Sequence, residues 1–186
     1  MSCQPLMDQA GHRKYLNGSE RKSFFKVSRM LNQQERLFCQ VMYYTGCRIS
    51  EALSLKKSSL DYEEKLLIIP TLKRRDSSVF RQFPLPDCLL FSLENLTKEI
   101  ELKEHMWNYS RSTAYRLIKR VMKEASVSGT QACPKGLRHG FAIACVQANV
   151  PITMIQKWMG HASLETTSIY LSVSGQEERQ FASRIW

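Results

Sequence analysis

Thr45-Gly46-Cys47-Arg48-Ile49-Ser50-Glu51 places an arginine at a helix start and a carboxylate one turn later on the same face. Lys135-Gly136-Leu137-Arg138-His139 places a second arginine at another helix start. Gly160-His161 ends a helix, and Tyr170 follows on a short helix after Thr166-Thr167. Two arginines, a lysine, a histidine and a tyrosine are the side chains that metal-free phosphodiester chemistry needs. An arginine fork grips two phosphate oxygens at once and keeps its charge. A tyrosine can attack phosphorus, but an ordinary phenol pKa of about 10 means that it needs electrostatic help. Taken singly, each group has a plainer reading. Arg48 and Glu51 could be a surface ion pair worth roughly a few tenths of a kcal/mol. His161 could cap a helix end, and Tyr170, between Ile169 and Leu171, could be a half-buried core ring. Their joint order and spacing outweigh those separate readings.

Caps and periodicity indicate the elements that must hold these residues. Asn32 with Glu35 three positions on forms a capping box, Leu37, Phe38, Val41 and Met42 recur at helical spacing, and Gly46 suits the helix end. Arg48–Leu55 reads as a short helix with Ile49, Ala52 and Leu53 inward. Leu66–Pro70 and Val79–Pro84 read as strands joined by the turn-rich Lys73–Ser78, a β-hairpin. Helices are expected over Leu89–Glu104, Ser112–Ala125 and Leu137–Ala148, with Val127–Lys135 a loop. Another opens at Pro151 and closes at Gly160, and Ser163 caps a run to Leu171. In the Ser112–Ala125 helix, Leu117, Val121 and Ala125 share one face, and Arg116, Lys119, Arg120 and Lys123 occupy much of the rest. That polar face has no acid until Glu124, which favours contact with a DNA backbone or major groove over a merely solvated surface. Phe141, Ala144, Cys145 and Ala148 form a core stripe, with Trp158 and Met159 also in the core, while His12 and His105 have no evident partner. Helices, one hairpin and helices again make a mainly α domain with a small antiparallel β-sheet.

The composition agrees with a polyanionic partner. The 186 residues carry 27 Lys plus Arg against 17 Asp plus Glu, a net charge of +10. With 43% apolar residues the chain can bury a real core, so disorder is excluded as the default. No apolar run approaches the ~20 residues of a membrane span, and Met1–Asp8 lacks the pattern of a signal peptide. The cysteines at 3, 39, 47, 88, 133 and 145 form no Cys-x-x-Cys pair, which argues against a zinc site or a disulfide framework and for a reducing compartment. A soluble, intracellular protein is expected.

The residues resemble the catalytic domain of tyrosine recombinases, also called phage integrases. The Thr-Gly-x-Arg-x-x-Glu box, the Leu-Arg-His run, the Gly-His pair and the Thr-Thr-x-x-Tyr box occur in the family's order and spacing over about 120 residues. The resemblance runs from about Tyr15 to Ser174. It implies a recombinase catalytic-domain fold over residues 15–174. The basic residues near the start read as a flexible arm over 1–14. The amphipathic end reads as a tail helix over 175–186 that docks on its own domain or, as the resemblance implies, on a neighbouring protomer. Tyr170 would be the nucleophile, forming a 3′-phosphotyrosine link and freeing a 5′-hydroxyl. Arg48 and Arg138 would clamp the non-bridging oxygens, and His161 would donate to the same phosphate. Lys73, in the hairpin turn, would be the general acid toward the departing oxygen, although Arg74 and Arg75 adjoin it and a hairpin slip could exchange their places. Arg74 and Arg75 would lie on DNA, as would Arg116, Lys119, Arg120 and Lys123. Glu51 would orient Arg48 or its neighbours, and His139 would buttress Arg138.

Three residues before the second arginine the family usually has histidine, and here it is Lys135. A histidine could shuttle a proton near neutral pH, whereas Lys135 acts as a fixed positive donor. The resemblance implies no metal, no cofactor and no ATP, because the covalent link keeps the bond energy. The partners implied are double-stranded DNA and further copies of the chain, as a tetramer on paired sites, with a cytoplasmic, nucleoid-associated location and no membrane. Most members carry an N-terminal clamping domain, for which there is no room before Asn32, so the chain is either a fragment or a short recombinase. Two other readings stand beside the main one: relaxation of DNA in the manner of type IB topoisomerases, and a non-cutting DNA-binding regulator on the same fold.

Overall fold

The structure is a computed structural model that describes residues 6–71, 79–172, 183 and 185. Helix α1 (Gly18–Ser28) opens on a reciprocal cap. The Asn17 side chain accepts from Glu20 N at 2.8 Å, and the Glu20 carboxylate accepts from Asn17 N at 2.9 Å. α2 (Gln33–Thr45) starts at Asn32, whose side chain accepts from Glu35 N at 3.0 Å. The other half of the expected box is replaced, because the Glu35 carboxylate pairs with Arg120 at 2.7 Å. Gly46 closes α2 in the left-handed region at φ 58°, and a Cβ there would stand 2.4 Å from the Phe141 ring. Backbone and packing both demand glycine at that turn. The short α3 (Ile49–Leu53) follows, with Arg48 as its N-cap.

The sheet has three antiparallel strands in the order β1 (Leu60–Asp61), β2 (Leu66–Pro70) and β3 (Phe80–Pro84). The two-residue β1 is too short to carry a periodic signal. Its register, Leu60 opposite Leu67, extends the expected hairpin by one strand. Alternation buries Leu67 and Ile69 of β2 with Phe83 of β3, and Arg81 lies on the same buried face, opposite Ile69.

Helices α4 (Asp87–Leu96), α5 (Arg111–Glu124), α6 (Pro134–Gln147), α7 (Ile152–Met159) and α8 (Glu165–Ser168) complete the domain. A 3₁₀ turn, Ile169–Ser172, follows α8 directly. α2 is the central element, packed on α1, α4 and α6, and it buries Leu37, Phe38, Val41 and Met42. These meet Leu117, Ile118 and Val121 of α5 and Leu137 and Phe141 of α6 in one apolar core. Trp107 ties the sheet side to this core by donating Nε1–H to Ala52 O at 2.8 Å.

Several expectations shift. The helix expected to reach Glu104 stops at Leu96, where the buried Thr97 hydroxyl donates back to Leu93 O at 2.9 Å. The chain beyond it is used in pairing, with Ser58 N donating to Leu102 O at 3.0 Å and His105 bridging Lys56. α6 begins at Pro134, so Lys135 stands in its first turn and not in a loop. Ala148 is exposed, and the core stripe of α6 ends at Cys145. Residues 6–14, expected within a loose arm, fold back on the domain. Leu6 is buried, Met7 bridges Arg13, and Arg13 pairs with Glu20 at 2.6 Å. His12 sits against Asp8 at 3.3 Å. The expected tail helix lies outside the described residues, apart from 183 and 185. Among the described residues no helix is long and apolar enough to cross a membrane.

Candidate active site

The Gly46 turn and the buried Cys47 set Arg48 at the start of α3. There its backbone N–H donates to Glu51 Oε2 at 2.8 Å, and its Nη1 donates to Glu51 Oε1 at 2.8 Å. Glu51 is wholly buried, so the pair is not a surface ion pair. The same carboxylate accepts from Arg81 Nη2 at 2.6 Å. Burial works to raise the Glu51 pKa, but the hydrogen bond and charge of Arg81, then those of Arg48, outweigh it and hold the carboxyl below its usual range. Arg81 is only 4% exposed and reaches further. Its Nε donates to Trp158 O at 2.7 Å, and its Nη1 donates to Thr71 Oγ1 at 3.3 Å. It also lies under Gly160, which is left-handed at φ 62°, and a Cβ there would stand 3.0 Å from Arg81 Nη1.

Arg138 is buried on α6 and donates Nη1–H to Gly46 O at 2.8 Å and Nη2–H to Met159 O. Both carbonyls belong to helix C-termini, α2 and α7, where the helix dipole favours a cation. Burial, then the charge of Arg48, lowers the Arg138 pKa to about 10, which leaves it protonated at neutral pH. His161 follows the Gly160 turn, and its Nδ1 stands 2.9 Å from Thr167 Oγ1. Desolvation, then Arg138 and Arg48, pushes His161 down to about 3, so the ring is neutral.

Tyr170 occupies the 3₁₀ turn and is 1% exposed. Its hydroxyl stands 2.9 Å from His139 Nδ1, and the nearly parallel His161 ring lies 6.2 Å away between centroids. His139 therefore touches the phenol, a contact the sequence did not indicate. Desolvation, then Lys135, Arg138 and Lys14, lowers His139 to about 4. An open groove of about 640 Å³ runs beside this cluster, lined by Arg48, Thr71, Val79, Arg81, His161 and Thr166 among others. Thr71 and Val79 are also the two ends of the hairpin turn, joined by Thr71 N to Val79 O at 2.7 Å. Lys73, Arg74 and Arg75 lie outside the described residues.

The fold thus gathers Arg48, Glu51, Arg138, His139, His161 and Tyr170. Lys135 is exposed on the first turn of α6. On α5, Arg116, Lys119 and Lys123 are exposed, whereas Arg120 is engaged with Glu35 and, at 3.9 Å, with Glu124. The sequence pattern does not single out Arg81, and it marks Thr167 only as part of the Thr-Thr-x-x-Tyr box. Strand alternation puts Arg81 on the face of Phe83, and an arginine at an inward strand position was the available signal. For Thr167 the box gives the position, whereas its contact with His161 at 2.9 Å emerges only in the fold. Two fixed cations and two neutral imidazoles around a phenol can bind an anionic phosphodiester and surround its charge.

A profile described as "Phage integrase family" matches residues 14–177. The tyrosine recombinase XerA of Pyrococcus furiosus (strain ATCC 43587 / DSM 3638 / JCM 8422 / Vc1) is 29% identical over 181 residues, covering 92% of this chain and 61% of that protein. The chain thus spans about three-fifths of that relative's length. A crystal structure of XerA recombinase aligns with a TM-score of 0.77 at 23% identity, over 97% of this chain and 66% of that one. A post-cleavage complex of XerH site-specific recombinase with a palindromic difH substrate aligns at 0.80 and 22% identity, over 95% of this chain and 55% of that one. The boxes around Arg48, Arg138, His161 and Tyr170, the mainly α fold with its small antiparallel sheet, and the match over residues 14–177 agree, and the chain belongs to the phage integrase family.

Proposed function

We propose that the chain is the catalytic part of a site-specific DNA recombinase, which cuts and rejoins strands through a 3′-phosphotyrosine intermediate. The observation that carries this reading is the phenol of Tyr170 set among Arg138, His139 and His161, with Arg48 and His161 lining the adjoining groove. In this mechanism the scissile phosphate enters the groove. Arg48 and Arg138 bind its non-bridging oxygens, and their charge meets the negative charge that grows on the five-coordinate phosphorus. His161 Nδ1 and Thr167 Oγ1 are 2.9 Å apart, and in this mechanism the hydroxyl donates a hydrogen bond to Nδ1, which fixes the tautomer that carries hydrogen on Nε2. A neutral His161 then donates from Nε2 to the phosphate without needing to be charged. Lys73 is assigned as the general acid that protonates the departing 5′-oxygen, and the hairpin ends Thr71 and Val79 on the groove rim support that assignment. Arg74, Arg75, Arg116, Lys119 and Lys123 are assigned to the DNA backbone, with Lys135 as a fixed cation near the nucleophile helix. The working form is a tetramer on paired sites, in the nucleoid.

A duplex with a nick just beyond the scissile phosphate traps the covalent intermediate. The wild-type chain is expected to form an adduct that resists denaturant, and Tyr170→Phe is expected to bind the same DNA and form none. An adduct that persists in Tyr170→Phe removes Tyr170 from the mechanism. Relaxation of supercoils by single copies, with no junction between paired sites, would replace recombination with the topoisomerase reading.

A further inference from the structure

We infer that His139, and not Lys135, receives the phenolic proton when Tyr170 attacks; this rests on the reading of Tyr170 as nucleophile. The place that usually holds a proton-accepting histidine is Lys135, whose ammonium side chain offers donors and no acceptor. The Tyr170 hydroxyl instead meets an imidazole, His139 Nδ1 at 2.9 Å, within the distance a general base requires. The rings are 5.7 Å apart and tilted by 51°, a geometry compatible with an in-line hydrogen bond rather than stacking. His139 is one residue beyond Arg138 on α6, so the helix that holds the phosphate clamp also holds the acceptor.

The surroundings keep this imidazole unprotonated. It faces Lys135 and Arg138 from α6 and Lys14 from the segment before α1, and together with burial they push its pKa to about 4. A neutral ring has one bare nitrogen, and a phenol beside it donates to that nitrogen. Such a ring is a weak base in the free protein. A phosphate gripped by Arg138 cancels part of the positive field, so the imidazole becomes more basic when substrate is bound. The proton balance is closed. As the Tyr170 oxygen forms its bond to phosphorus, the phenolic proton moves to His139 Nδ1. The bond from phosphorus to the 5′-oxygen breaks, and that oxygen leaves as a hydroxyl with a proton from the acid assigned above. Rejoining runs the same transfers backward, and the His139 imidazolium returns its proton to the departing phenolate.

The test is single-turnover adduct formation on the nicked duplex from pH 6 to 9, with DNA binding followed by fluorescence anisotropy. His139→Gln, which keeps a polar side chain but cannot take a proton, is expected to bind DNA within about twofold of wild type. Its adduct rate at pH 7 is expected to fall roughly 100-fold, the lower end of general-base effects. The deficit should narrow as the pH climbs toward the phenol's own ionisation near 10, because a phenolate needs no base. A deficit that stays constant with pH, or an unchanged rate, overturns the assignment while leaving Tyr170 as nucleophile. Absence of an adduct in the wild-type chain overturns both. If the variant does not fold, ¹⁵N spectra of the wild-type His139 ring decide. A neutral ring bearing hydrogen on Nε2 is expected, and hydrogen on Nδ1 at pH 7 would rule out acceptance from Tyr170.

Discussion

Arg81 shows how much of the site depends on a residue that holds the others in place. It is 4% exposed and joins Glu51, Trp158 and Thr71 through one guanidinium. Arg81→Met would leave Glu51 buried with Arg48 as its remaining cationic partner. Breaking a buried pair in this way costs roughly 3–5 kcal/mol. The pH dependence has a definite sign. Glu51 is held below its usual pKa in the folded chain, so its contribution is complete above the ordinary carboxylate pKa and is lost as the pH falls through the folded value. Without Arg81, its hydrogen bond and charge no longer lower the folded pKa, which rises toward the value that burial favours. Acid unfolding of Arg81→Met, followed by circular dichroism, is therefore expected to begin at a higher pH than in wild type. An identical acid limb would mean that Arg81 does not hold the charge on Glu51. At this scale the sequence was legible where residue types are scarce and spaced by the chemistry, as at Arg48, Arg138, His161 and Tyr170. It was not legible at Arg81, nor in the contact between His139 and Tyr170. Their partners lie 30 and 31 positions away, and only the folded strand and helix bring them together.

Among the elements, α5 makes a prediction that separates its arginines. Arg116, Lys119 and Lys123 are exposed, while Arg120 is spent on Glu35. Neutralising the first three is expected to lower the salt dependence of DNA binding by about 0.9 in slope for each phosphate that is no longer neutralised. Arg120→Gln is expected to leave that slope near its wild-type value. Titrations at several salt concentrations would show it, and an unchanged slope in the triple variant would make α5 a solvated face. Element boundaries followed the sequence where a cap or a left-handed glycine marks them, as at Asn32, Gly46 and Gly160. α1 escaped notice because its inward face includes Arg21. That residue is buried with its guanidinium 4.3 Å from the Tyr43 ring centroid, so the charge hid an apolar stripe. The helix drawn to Glu104 was too long because nothing in its periodicity announces that the Thr97 hydroxyl turns back on Leu93.

For the whole molecule, two neutral histidines in the site tie stability to pH. In the unfolded chain an imidazole takes its proton near pH 6.5, whereas folding delays this to about 4 at His139 and about 3 at His161. Stability from this source is complete above pH 6.5 and declines as the pH falls toward 4. Allowing for partial exposure, the decline is roughly 1–2 kcal/mol per pH unit for the two together. Urea unfolding at pH 7, 6 and 5 is expected to show it, and equal midpoints at pH 7 and 5 would contradict the buried neutral rings. Loss of Arg138 differs in kind from loss of the Tyr170 hydroxyl. Its guanidinium closes the carbonyls of Gly46 and Met159, and leaving such buried groups bare costs roughly 1–3 kcal/mol each. An allele that loses Arg138 is thus expected to yield a destabilised chain of low abundance and a recessive phenotype. An allele that loses only the Tyr170 hydroxyl is expected to yield a folded chain that, on the function proposed above, still binds DNA and joins normal copies. In the proposed tetramer built from both, one such copy is expected to spoil the set, which makes that allele dominant.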